Sequence, residues 1–174
     1  MSKIYAIGHS THSIDDFISL LKAHGIRIVA DVRTVPRSRH VPQFNQESFK
    51  AALQAQGLGY CHFKQLGGLR KPRKDSTNLG WKNSSFRGFA DHMQSQEFEA
   101  GIAELIKLAE SEGPVVMMCA EALPWRCHRS LIADAFVALG LEVLQLDSRG
   151  HAKPHTLTSF ARVKDSKVTY PGVI

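Results

Sequence analysis

The sequence predicts an α/β fold: a single domain over residues 1–174, built on a mostly parallel, doubly wound sheet of about five strands with helices on both faces. Three observations predict it. Five apolar, β-rich runs alternate with segments of helical periodicity, the pattern of parallel strands joined by right-handed crossovers. Runs such as VVMM show no polar–apolar alternation, as expected of strands covered on both faces. A chain of 174 residues can also bury a real core without staples.

The elements follow in order. IYAIG (Ile4 to Gly8) reads as the first strand. Ser13 then caps a helix, with Asp16 three residues on completing a capping box. Ile14, Phe17, Ile18 and Leu21 recur at helical spacing, and Gly25 stops the helix. RIVADV (Arg27 to Val32) is the second strand. RTVPRSRHVPQF is irregular because its two prolines forbid a helix. Asn45 is placed to cap a second helix, with Ala52, Phe49 and Leu53 on one side and Gly57 at its end. LGYCHF (Leu58 to Phe63) is the third strand.

Residues 64–87 form a long basic loop rich in Gly, Pro, Asn and Ser, of a length that is often functional. A short helix is expected over Arg87 to Met93. Phe98, Ile102, Leu105, Ile106 and Ala109 mark a strong amphipathic helix ended by Gly113. PVVMMC (Pro114 to Cys119) is the fourth strand. A helix beginning near His128 carries Leu131, Ile132, Ala135, Phe136 and Leu139 and ends at Gly140. LEVLQL (Leu141 to Leu146) is the fifth strand. The tail from Asp147 is polar and carries no clear pattern. No repeat and no linker divides the chain.

Composition narrows the function. The hydrophobic fraction is 43% and the charged fraction 22%, as in soluble globular proteins. No apolar run approaches the roughly 20 residues that span a bilayer, and the segment before Gly8 is too short for a signal-peptide core. A cytoplasmic protein with no membrane partner is expected. Three cysteines, Cys61, Cys119 and Cys127, do not make a disulfide framework. The net charge is +6. Lys64, Arg70, Lys71, Arg73, Lys74, Lys82 and Arg87 face only Asp75 within their stretch, so that loop alone carries the excess. Such a field favours an anionic partner, either a small molecule or nucleic acid.

Open parallel sheets bind ligands beyond the carboxyl ends of their strands, and this chain's reactive side chains gather there. After the first strand come Gly8, His9, Ser10 and Thr11: a histidine that titrates near neutrality and hydroxyls that can donate to an oxyanion. After the second, Asp31 is positioned to orient Arg33, leaving Arg37 and Arg39 for a ligand. After the fourth, Cys119 leads through Glu121 to Arg126, Cys127, His128 and Arg129 at a helix start. Backbone N–H groups there attract anions, and the same field with its arginines lowers a thiol pKa. A metal reading would use Cys119, Cys127 and His128 with Glu121 or His9. Seven residues separate the cysteines and no C-x-x-C pair exists, so the zinc signatures are lacking. No cofactor is called for.

The strand, cysteine, loop and helix of PVVMMC…R…RS, with the Asp-Val-Arg strand end, resemble rhodanese-like and cysteine-phosphatase domains, although this loop is longer and glycine-free. The chain more closely resembles the family known as domain of unknown function 488. The matching motifs are Gly8-His9-Ser10-Thr11, Asp31-Val32-Arg33 with Pro36, Pro42-Gln43-Phe44, Leu66-Gly67-Gly68, Arg87-Gly88-Phe89-Ala90-Asp91, Cys119-Ala120-Glu121 and Cys127-His128-Arg129. The resemblance implies a shared α/β fold and a cytoplasmic setting, with no settled activity.

Two functions from different classes are expected. In the first, the chain is an enzyme, a cysteine-dependent transferase or hydrolase, acting on a phosphate-, nucleotide- or nucleic-acid-like substrate. Cys119 is its nucleophile or redox thiol, with Cys127 beside it, and Glu121 or His128 moves protons. Arg33, Arg37 and Arg129 hold the oxyanion, with His9, Ser10, Asp31, Arg39 and Arg87 completing the substrate site. In the second, the chain is a nucleic-acid-binding module without cysteine chemistry. The 64–87 loop contacts phosphates, and Trp81 or Phe86 stacks on bases. Trp81 is otherwise a packing anchor, and Arg87 otherwise pairs with Asp91 one helical turn on.

Overall fold

The computed structural model describes residues 3–172. The five expected strands form within a residue or two of their apolar runs, as β1 (Lys3–Gly8), β2 (Ile28–Asp31), β3 (Gly59–His62), β4 (Val115–Cys119) and β5 (Glu142–Leu146). The helices are α1 (Ile14–Ala23), α2 (Gln46–Ala55), α3 (Ser84–His92), α4 (Gln96–Glu112) and α5 (Arg129–Ala138).

The helix starts show how local chemistry sets the boundaries. Ser13 Oγ accepts from Asp16 N at 3.1 Å and caps α1 as its sequence demands. Ser95 does the same for α4 through Phe98 N. Asn83 Oδ1 accepts from both Ser85 N and Phe86 N, so α3 starts three residues ahead of Arg87. Asn45 holds the N-cap position of α2, but its side chain accepts from Ser38 N at 2.8 Å instead of from the helix. It anchors the preceding loop.

The tail also differs from expectation. It forms β6 (Ala152–Pro154), antiparallel to β5, and a separate antiparallel hairpin of β7 (Arg162–Lys164) and β8 (Lys167–Thr169). The central sheet therefore has six strands, in the order β3-β2-β4-β1-β5-β6, of which the first five run parallel.

Successive strand residues face opposite layers. On β4, Val115, Met117 and Cys119 join the apolar cluster under α3, α4, α5 and the tail, together with Phe89, Leu105, Phe136 and Tyr170. Val116 and Met118 join the cluster under α1 and α2, with Phe17, Phe49 and Leu53. The expectation of helices on both faces is met by these two layers. No described helix is long and apolar enough to cross a membrane.

The topology also marks a place for function. From β1 the chain crosses through α1 to β2 on one side, and from β4 it crosses through α5 to β5 on the other. The two central neighbours β1 and β4 thus define the point where the winding reverses, the position at which open α/β sheets hold ligands.

Candidate functional site

Strand register brings the polar residues together at that reversal. Gly8 pairs with Cys119 across β1 and β4, and Asp31 pairs with Met118 across β2 and β4. The β1–β4 ladder continues past the strands: His9 N donates to Cys119 O at 2.8 Å and Ser10 N to Ala120 O at 3.0 Å. Ser10 sits at φ 47, left-handed backbone that a non-glycine residue seldom adopts. Gly8 is obligatory here. A Cβ on it would lie 1.7 Å from Glu121 O and 2.8 Å from Arg129 Nη1, so only a glycine lets the cysteine loop fold against β1.

Asp31, Arg33 and His9 form one closed, buried unit. Asp31 accepts Arg33 Nε at Oδ1 (2.9 Å) and Arg33 Nη2 at Oδ2 (2.7 Å), a bidentate pair. Tyr60 OH donates to the same Oδ2 at 2.5 Å. Burial and this bond to the carboxylate raise the Tyr60 pKa. Arg33 Nη2 also donates to Phe44 O, and Nη1 donates to His9 Nε2 at 3.3 Å. His9 Nδ1–H donates to Ser10 O at 2.9 Å, and the ring stacks on Phe44 at 4.3 Å. Burial lowers its pKa from 6.5 to about 4. Two expectations are therefore corrected. His9 is a neutral acceptor for Arg33 and not a group titrating near neutrality. Arg33 has its donors turned to protein, so its role is to hold the ends of β1 and β2 together.

Arg129 does the equivalent for the cysteine loop. It is fully buried. Its Nη1 donates to Glu121 O and, at 2.9 Å, to Cys119 Sγ; Nη2 donates to Ala122 O, and Nε to Gln145 Oε1. Its guanidinium makes no ion pair with a carboxylate among the described residues. A buried charge without a counter-charge costs several kcal/mol, roughly, and the one ionisable atom it touches is Cys119 Sγ.

Burial opposes ionisation of Cys119. The Cys127 thiol that hydrogen-bonds it and the Arg129 charge outweigh burial and bring its pKa down from 9.0 to about 7. The Cys127 pKa moves up, first through its bond to Cys119 and then through burial. Of the pair, Cys119 is the more readily ionised and Cys127 holds its proton more tightly; Cys119 Sγ also lies 3.5 Å from Glu121 O, and both are free cysteines. Cys127 Sγ also takes Arg129 N at 3.5 Å, at the start of α5. His128 Nε2–H donates to Val32 O at 2.9 Å, and Nδ1 lies 3.5 Å from Cys127 Sγ. Burial lowers the His128 pKa to about 4, which makes it a neutral brace between β2 and the loop and not a proton carrier near neutral pH.

The remaining site candidates fall on the rim. Arg37 and Arg39 are exposed, as is Arg126, and none of the three makes a side-chain hydrogen bond or ion pair among the described residues. Glu121 is partly exposed and accepts Leu123 N through Oε1 at 3.2 Å. Trp125, between Glu121 and Cys127, is 66% exposed.

Arg87 does not pair with Asp91; its Nε donates to Trp81 O. Asp91 is buried and accepts Arg73 N, Ser76 Oγ and Asn78 Nδ2 at 2.7–2.8 Å, tying the basic loop down on α3. Trp81 packs edge-on against Phe86, Phe160 and Tyr170, with its indole N–H buried, so it is an anchor and not an open stacking platform. Among the described residues no three His, Cys, Asp or Glu side chains gather as a metal site. Sequence reasoning missed Tyr60, Gln145, Asp134 and His155. No signal in the sequence places them, because long-range pairing alone brings them here.

Fold and site together define a doubly wound α/β protein with two buried cysteines, Cys119 and Cys127, at its topological reversal. The chain belongs to the family described as domain of unknown function DUF488, which it matches over residues 13–136. That span holds Asp31, Arg33, Cys119 and Arg129 and leaves Gly8 to Thr11 ahead of it. No curated protein and no solved structure matches the chain.

Proposed function

We propose that the chain is a cytoplasmic, cysteine-dependent enzyme, a transferase or hydrolase, acting on a phosphate- or nucleotide-like anion at the carboxyl ends of the strands. One observation carries this reading. Arg129 is a fully buried cation without a carboxylate partner, and its donor rests 2.9 Å from Cys119 Sγ. A thiol kept ionised inside a sheet is an activated nucleophile.

Cys119 is 1% exposed, so attack requires the 120–126 segment to swing outward. That segment carries the substrate-facing groups. Trp125 offers a flat apolar surface, and Arg126 offers an exposed cation for an oxyanion, as do Arg37 and Arg39 on the loop after β2. Glu121, at the loop mouth, is the carboxylate placed to move a proton. A cytoplasmic setting suits such a site, since that compartment keeps thiols reduced.

The test is the pH dependence of alkylation by iodoacetamide, read at each cysteine by mass spectrometry on the full chain. Cys119 should react with a midpoint near 7, and inorganic phosphate or a nucleoside monophosphate should slow it. Cys61, whose pKa burial raises, serves as the internal reference. A Cys119 midpoint at the free-cysteine value of about 8.5, or a rate at pH 7 no greater than that of Cys61, removes the nucleophile.

A second reading, nucleic-acid binding through the basic loop, is supported by Arg70, Lys71 and Arg73, which line a cleft of about 290 Å³ against α3. It predicts oligonucleotide affinity that falls steeply with salt and survives Cys119→Ser. Affinity that is flat between low and moderate salt would count against it.

A further inference from the structure

A second polar network, unused in the reading above, runs from Arg129 into the C-terminal segment. Arg129 Nε donates to Gln145 Oε1 on β5 at 3.1 Å. Gln145 Nε2 lies 3.3 Å from His155 Nδ1, just beyond β6. His155 Nε2 lies 2.9 Å from Asp134 Oδ1 on α5. Asp134 is fully buried and is fixed by Thr158 N at 3.0 Å and by Tyr170 OH at 2.7 Å.

The chemistry of the first member fixes the sense of every later bond. A guanidinium only donates. Gln145 must therefore turn its oxygen to Arg129 and its nitrogen to His155. His155 Nδ1 must then accept, which leaves the ring proton on Nε2, where the Asp134 carboxylate receives it. Turning the Gln145 amide over would set its N–H₂ against the Arg129 N–H and leave buried donors unpaired.

We infer that Asp134, His155 and Gln145 are a positioning relay that holds the Arg129 guanidinium in the orientation that sets Nη1 against Cys119 Sγ. None of the three reaches the sulfur; they act through Arg129. The inference rests on Cys119 being the working thiol. Gln145, His155 and Tyr170 lie beyond the family-matched residues 13–136, so this chain tunes its thiol with a segment outside that span.

The test uses the full chain with His155→Ala and, separately, Gln145→Met. The alkylation rate of Cys119 by iodoacetamide is followed from pH 5.5 to 9, with Cys61 as reference. In each variant the midpoint should rise by about one pH unit, which is about a tenfold loss of rate at pH 6, while Cys61 is unchanged. His155→Asn, which keeps an acceptor for Gln145, should recover part of the loss. A purely structural role would lower the thermal midpoint and leave the Cys119 profile where it was; that result in both folded variants overturns the relay.

If neither variant folds, the ¹⁵N shifts of His155 in the unaltered chain decide. A proton on Nε2 with a bare Nδ1 supports the relay, and the opposite tautomer overturns it. An ordinary thiol profile in the unaltered chain sinks the Cys119 reading alone, and the His155 tautomer still tests the relay.

Discussion

Gly8 is the residue on which the cysteine loop closes, and the consequence is measurable. With a Cβ 1.7 Å from Glu121 O, Gly8→Ala cannot be absorbed by a rotamer change, because the atom it meets is backbone. The loop must move, at a cost of about 1–3 kcal/mol or more for such overpacking. Arg129 Nη1, 2.8 Å from the same Cβ, must move with it. Urea unfolding should show that loss, and the Cys119 alkylation midpoint should rise toward the ordinary thiol value. A variant with full stability and an unmoved midpoint would show that the loop does not depend on β1 for its shape. At this scale the sequence was readable in kind but not in role. Arginines and histidines at strand ends pointed to an anion site, yet Arg33, Arg129, His9 and His128 spend their bonds on the protein. What separates them from the free Arg37 and Arg39 is burial, which depends on partners such as Phe44 O and Gln145 that are distant in sequence.

Among the elements, the basic loop is the one most dependent on a single side chain. The Asp91 carboxylate on α3 takes Arg73 N, Ser76 Oγ and Asn78 Nδ2. Burial works against its charge, but these donors together hold its pKa below the usual carboxylate value. Gly88, one turn earlier, lets the loop lie flat, since a Cβ there would sit 2.1 Å from Arg70 O. Asp91→Ala should cost about 1–3 kcal/mol and leave the sheet intact while freeing residues 70–82. Limited trypsin digestion should then cut after Arg70, Arg73 and Lys74 much faster than in the unaltered chain, Lys71 being protected by the proline that follows it. Equal cutting rates would show that the loop is held by Trp81 and its aromatic neighbours instead.

The loop and the tail also show where element prediction stops. VVMMC announces a buried strand because all five residues are apolar and all five are buried. The strands AKP, RVK and KVT are three residues long, and only Val168 of the nine is buried, so no periodicity exists to be read. They form because β5 offers an edge to β6 and because Tyr170 is drawn to Asp134.

For the whole molecule, the buried ionisable groups predict how stability depends on pH. His9 and His128 titrate near 4 when folded and near 6.5 when unfolded. Between those values the unfolded chain binds more protons, so stability falls as the pH drops from about 6.5 to about 4. Cys119 acts in the same direction higher up. Its folded pKa is depressed, so the unfolded chain holds that proton from about 7 up to 9.0, and stability rises with pH across that range. Above it the sign reverses. Cys127, Tyr60 and Tyr170 keep their protons in the fold well past the values at which the unfolded chain gives them up, 9.0 for the thiol and 10.0 for the phenols. Stability therefore falls as the pH rises beyond about 9. These terms together place the maximum on the alkaline side of neutrality, where both histidines are neutral and Cys119 is ionised against Arg129. Urea midpoints measured at pH 4.5, 6, 7, 8.5 and 10.5 should climb through the first four and drop at the last. In Cys119→Ser the rise between 7 and 8.5 should vanish while the rise between 4.5 and 6 remains, because burial is the main cause of both histidine shifts and neither ring bonds Cys119 itself. A midpoint that does not change between 4.5 and 6.5 would mean that His9 and His128 are not held neutral. A rise above pH 7 that survives Cys119→Ser would mean that the buried arginine draws its balance from some other group.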